Sequence, residues 1–175
     1  MEAAVTVPGL FIRRSTLLLL GLTLSLGGLV SQLSSLLREP ERALLNVLAV
    51  AGRPIASKLA LQAARIRQKG RSQLHALQGL GLIRMRVVQG ARLIELYHDR
   101  VRETVQASLS AEESQRIHAA LLQELQAQGR DDHDWLHTLA VGAEQRGPAF
   151  RHGLLAAERA SASLAFERAA ELYSK

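Results

Sequence analysis

Between residues 82 and 97 the chain alternates. Ile83, Met85 and Val87 are apolar and Arg84 and Arg86 between them are charged, the period of a half-buried strand. Gln89-Gly90 follows, with a glycine where a short turn needs positive φ. Arg92–Tyr97 reads as the returning strand and stops at His98-Asp99, the charged opening of a helix. Elsewhere the period is helical. Glu39-Pro40-Glu41 marks a start, because proline fits a first turn and carboxylates complement the positive helix end. Leu44, Leu45, Val47, Leu48 and Val50 make that helix largely buried; Gly52 ends it and Pro54 blocks continuation. Ile55–Ile66 reads as a second helix. Gly70 breaks the chain, Ser72 caps a short third helix, Ser72–Gln78, and Gly79 closes it.

After the hairpin, Val101, Val105 and Leu109 recur at helical spacing. Ser110-Ala111-Glu112-Glu113 is a capping box, and its helix carries Ile117, Leu121 and Leu125 inward as far as Gly129. Asp131–Asp134 opens another helix with Leu136, Leu139, Ala140 and Ala143 on one face. Gly147-Pro148 reads as a turn, and Phe150–Arg159 and Leu164–Tyr173 as the last helices. Before all of these, Ser15–Leu37 has no charge. Its densely apolar part, Leu17–Val30, contains Gly21, Gly27 and Gly28 and falls short of the about 20 residues a spanning helix needs. Leu29, Val30, Leu33, Leu36 and Leu37 then make one face of an amphipathic surface helix. Arg13-Arg14 followed by an apolar run also has the form of a signal peptide or membrane anchor, but no A-x-A-like cleavage site follows, so neither export nor membrane association is expected and the expected location is the cytoplasm.

The expected fold is mainly α: a winged-helix unit with one small β-hairpin, followed by tetratricopeptide-like helical hairpins. Residues 1–28 form an apolar N-terminal segment, 29–109 a helix plus the winged-helix domain, 110–130 a connector helix, and 131–175 the start of an incomplete repeat array. Small residues at Ala156, Ala157, Ala160, Ala169 and Ala170 allow close helix approach. LAFERAAELY resembles the first helix of a tetratricopeptide repeat, with Ala165, Phe166, Ala169 and Leu172 as packing positions.

Composition narrows the chemistry. The 175 residues include no cysteine, which excludes disulfides, thiolate metal sites and a cysteine nucleophile. The net charge of +6 is compatible with a nucleic-acid or anionic-lipid partner and equally with an Arg-rich soluble protein. No G-x-x-x-x-G-K-[ST] occurs, and Gly52–Lys58 has the wrong spacing for one. No acidic Walker B strand, kinase signature or G-x-S-x-G is present either. The expectation is a protein that is not an enzyme and carries no cofactor of its own.

The runs ERALLNVLAVAGRPI, GLIR, LIELYHDRVRE and LSAEESQRIHAALLQEL resemble the part that follows the ATPase core in bacterial STAND-type ATPases. There a winged helix is followed by tetratricopeptide repeats, often fused to kinases, adenylate cyclases or transcription regulators. The resemblance covers roughly Leu29–Tyr173. Tyr97-His98-Asp99 is similar to the MHD motif of related winged helices, with tyrosine in place of methionine. It implies that His98 senses the phosphates of ATP or ADP on an ATPase core, supplied in cis or in trans, and that Asp99 caps the helix it opens. It also implies a protein partner at the repeats and a signal-transduction role.

Two other site readings rest on the residues alone. From Glu41 to Glu95 no acidic residue intervenes. A winged-helix DNA-binding regulator would use Arg65, Arg67, Lys69 and Arg71 from this interval, Ser72, Gln73 and His75 (with Gln78) in a groove, and Arg84, Arg86 and Arg92 on phosphates. His133 and His137 share a helix face beside Asp131, Asp132 and Asp134, but without a third ligand elsewhere the expected metal site is none.

Overall fold

The sequence signals around residue 40 act as read. Glu39–Ala51 is a helix (α1) with Pro40 in its first turn, Glu39 and Glu41 at its positive end, and Gly52 at φ 63° closing it through an N–H bond to the Leu48 carbonyl. The computed structural model describes residues 37–66 and 70–173, together with the backbone of an N-terminal pair, Thr6–Val7 (β1) and Leu10–Phe11 (β2). The apolar run 15–30, the amphipathic helix over 29–36, and Arg67 and Lys69 lie outside the described residues. Contacts divide the chain into two compact units, Met1–Leu109 and Ser110–Lys175.

In the first unit the segment read as one helix from Ile55 is two elements. Ile55–Ala56 (β3) is extended, and the helix (α2) begins only at Ser57 and runs to Ala63. Ile55 is β-branched, follows Pro54, and pairs with Ile94 while Ala56 pairs with Leu93. The sheet takes the backbone groups that a helix would have used. Arg65 then turns the chain at φ 56°. The third helix (α3) is Gly70–Gly79, so Gly70 starts a helix instead of breaking one and Ser72 sits inside the first turn. Ile83–Val88 (β4) and Ala91–Leu96 (β5) form the predicted hairpin, paired from Ile83↔Leu96 to Val88↔Ala91. Both central turn residues have positive φ, Gln89 at 49° and Gly90 at 77°, as a two-residue hairpin turn of matching twist requires. The three strands make an antiparallel sheet in the order β3-β5-β4. Ile55, Ile94 and Ile83 face a core with Leu44, Leu48, Leu59, Leu74, Leu77 and Val105. Asp99–Ser108 (α4) packs on α1, and the Gln106 side-chain amide donates to the Ala49 carbonyl at 2.7 Å.

The second unit is four helices, each packed on the one before: Ala111–Ala127 (α5), His133–Gly142 (α6), Arg146–Ala162 (α7) and Phe166–Tyr173 (α8). Ser110 caps α5 by accepting from the Glu113 N–H at 3.1 Å, and Asp132 caps α6 by accepting from the Trp135 N–H at 3.3 Å. Gly147-Pro148 is not a turn; both residues lie in the first turn of α7, where a missing N–H costs nothing. The turn is one step earlier, at Glu144 with φ 55°. Likewise α8 starts at Phe166, because Leu164 takes φ 61° and the Ala165 N–H reaches back to the Ala160 carbonyl at 2.9 Å. Ala169 and Leu172 pack inward as expected, but Ala165 and Phe166 are exposed.

Among the described residues, then, the fold is mainly helical with one small antiparallel sheet, and no helix is long and apolar enough to cross a membrane.

Candidate functional site

The end of β5 and the start of α4 set out one candidate group. Val101 and Arg102 N–H groups both bond to the His98 carbonyl, which makes His98 the N-cap through its backbone, with its side chain free of any capping bond. Its exposed ring meets Tyr97 edge-on at a centroid distance of 4.4 Å. Asp99 is the first helical residue and pairs with Arg102 at 3.3 Å. Arg102 in turn lies beside Gly52 at the C-terminus of α1, where the carbonyl end of a helix favours a cation. The imidazole is therefore presented to solvent on a backbone fixed from two sides.

The basic candidates separate into three groups. Arg84 and Arg86 share the outer face of the hairpin, and both are tied to one carboxylate oxygen of Glu95, at 2.6 and 2.5 Å. Arg92 pairs in register with Val87, which places it on the opposite face of the sheet. On α3, Arg71, Ser72, His75 and Gln78 are all exposed, while Leu74 and Leu77 are buried. Gln73 is half-buried, and with Arg65 it lines a shallow depression of about 380 Å³ beside Glu39, Pro40 and Ala43. Charge also differs between the units. Residues 1–109 hold 15 Lys and Arg against six Asp and Glu, and residues 110–175 hold seven against ten. The first unit is thus +9 and the second −3. Glu95 is the partner that sequence reading missed. Counting outward from the Gln89-Gly90 turn puts it directly opposite Arg84.

The acidic and histidine-rich start of α6 is spoken for by neighbours. Asp131 receives Arg159, Asp134 receives Arg168, and Asp132 caps its own helix. The His137 ring is buried, with Nδ1 2.8 Å from the Ala149 carbonyl. His133 lies against His152 of α7, Nδ1 to Nδ1 at 3.2 Å, with the rings stacked at 5.3 Å. His152 Nε2 lies 3.2 Å from the side-chain nitrogen of Gln126 on α5. Burial pushes the His152 pKa down, and His133, Arg151 and His137 push it the same way. Among the described residues no group of three or more His, Asp or Glu is arranged to hold a metal ion.

No protein family, curated protein or solved structure matches this chain.

Proposed function

We propose that this chain is a non-catalytic regulatory and protein-binding module of a STAND-type signalling ATPase. In this reading the first unit is a winged helix and the second is the start of a tetratricopeptide-like array. The observation that carries the proposal is the order of elements. Helix, strand, helix, helix, strand, two-residue turn and strand run from α1 to β5 with sheet order β3-β5-β4, and consecutively packed helices follow. Exposed Phe150, Leu164, Phe166 and Tyr173 on the helical unit provide apolar surface for a protein partner. The signal passes as a population shift between states of the nucleotide-binding core. His98, exposed at the seam between sheet and α4, meets ATP or ADP phosphates only when that core is present. The DNA flanking the gene tests this. A P-loop ATPase core is expected in the same or the adjacent reading frame, and a clean stop and start with no G-x-x-x-x-G-K-[ST] nearby would sink the reading.

The charge division supports a second reading, nucleic-acid binding by the first unit through the exposed face of α3. Duplex binding measured by fluorescence anisotropy should then fall about tenfold between about 50 and about 200 mM salt if two phosphates are contacted. Arg71→Glu should weaken it at every salt concentration. Glu95→Gln, which releases Arg84 and Arg86 from their shared carboxylate, should strengthen it. No binding of the native chain at the lower salt, or an unaltered affinity in both variants, removes this reading.

A further inference from the structure

We propose that His133 and His152 form an acid-sensitive latch between α6 and α7, closed while the pair carries at most one added proton and released by the second. The geometry is specific. Two Nδ1 atoms at 3.2 Å are in hydrogen-bonding contact only if one carries a proton and the other does not. With the Gln126 amide nitrogen at 3.2 Å donating to His152 Nε2, His152 donates from Nδ1 and His133 accepts. In this neutral state His152 has both ring nitrogens satisfied although it is only 8% exposed.

One added proton is tolerated. On half-buried His133 it occupies Nδ1; His152 then carries its own proton on Nε2 and accepts at Nδ1, and rotation of the Gln126 amide presents its oxygen to that N–H. A second added proton goes to His152 Nδ1, which is then the acceptor. Two N–H groups then face each other between two cationic rings stacked at 5.3 Å. The charged groups that act on His152 all oppose a further proton on it. From α6 His133 and His137 face His152, from α5 the neutral Gln126 does, and on its own helix Arg151 adds positive charge. Of the carboxylates close to His133, Asp134 pairs with Arg168 and Asp132 accepts the helix-capping N–H.

The sign of the stability change follows. In the unfolded chain both histidines take up protons near pH 6.5. In the folded chain the His152 pKa is lowered, so below about pH 6.5 the unfolded state binds more protons. Stability conferred by the pair is therefore present above that pH and is lost as pH falls towards the folded value.

The test uses the full chain. Nuclear magnetic resonance titration of the histidine ring signals should show one of the two rings taking its proton at a clearly lower pH than a free histidine. Thermal melts should show Tm falling between pH 7.5 and pH 5. His133→Gln retains a hydrogen-bonding side chain that does not titrate, and should flatten much of that fall while leaving Tm at pH 7.5 close to native. The proposal is overturned if both rings titrate as free histidines, or if native and His133→Gln chains lose stability in parallel. The ring titration of the native chain decides the matter even if the variant fails to fold.

Discussion

Ile94→Ala should destabilise the first unit by about 2–5 kcal/mol, the range for emptying a fully buried aliphatic position. Ile94 is fully buried and lies in the middle strand, opposite Ile55 on one side and Met85 on the other. Its side chain is thus where the two-residue strand β3 and the hairpin meet the core. With a total stability of about 5–15 kcal/mol typical of a domain, that loss removes a large fraction of the whole. Urea denaturation followed by far-UV circular dichroism measures it, with amide exchange in β5 as the local readout. Leu93→Ala on the outer face of the same strand is the control, and should cost clearly less. Equal effects at 93 and 94 would mean that the sheet does not bury the face assigned to it.

Gly153→Ala should destabilise the helical unit by about 1–3 kcal/mol, against the usual gain when alanine replaces a helical glycine. A Cβ at 153 would lie 2.9 Å from His137 Nδ1. That ring is buried and bonded to the Ala149 carbonyl, so it cannot withdraw without breaking its own contact. Gly147 is in the same helix with nothing near its Cβ position, so Gly147→Ala should be neutral or stabilising. Trp135, the sole tryptophan, lies in α6, which packs on α7, and its fluorescence follows unfolding of both variants. If Gly153→Ala raised stability as Gly147→Ala does, the close approach of α7 to His137 would be refuted.

Much of the fold was legible from short-range chemistry. The alternation from Ile83 to Val87 and the glycine at 90 specified the hairpin, and Ser110 with Glu113 specified a helix start, because each signal acts over a few residues. What escaped was set by partners distant in sequence or by ambiguous residues. Ile55-Ala56 is too short to show any period, and only pairing with β5 makes it a strand. Pro148 suits a turn and a first helical turn equally, and the packing of α7 decided between them. Leu164 adopts a left-handed conformation that no side-chain preference announces. Among the candidate sites, the exposure of His98 followed from its place at a helix start. The tie of Arg84 and Arg86 to Glu95 needed the strand register. His133 and His152, 19 residues apart, meet only because α6 and α7 pack together.

The division of charge, +9 in the first 109 residues and −3 in the rest, reaches beyond a single molecule. Neighbouring copies attract where the basic part of one meets the acidic part of another. That attraction extends about 30 Å in 0.01 M electrolyte and about 8 Å at 0.15 M. In dilute buffer the net charge of +6 on each copy adds a repulsion of the same reach, so copies of this protein come together only in orientations that face unlike parts, and at 0.15 M they feel each other's charge only near contact.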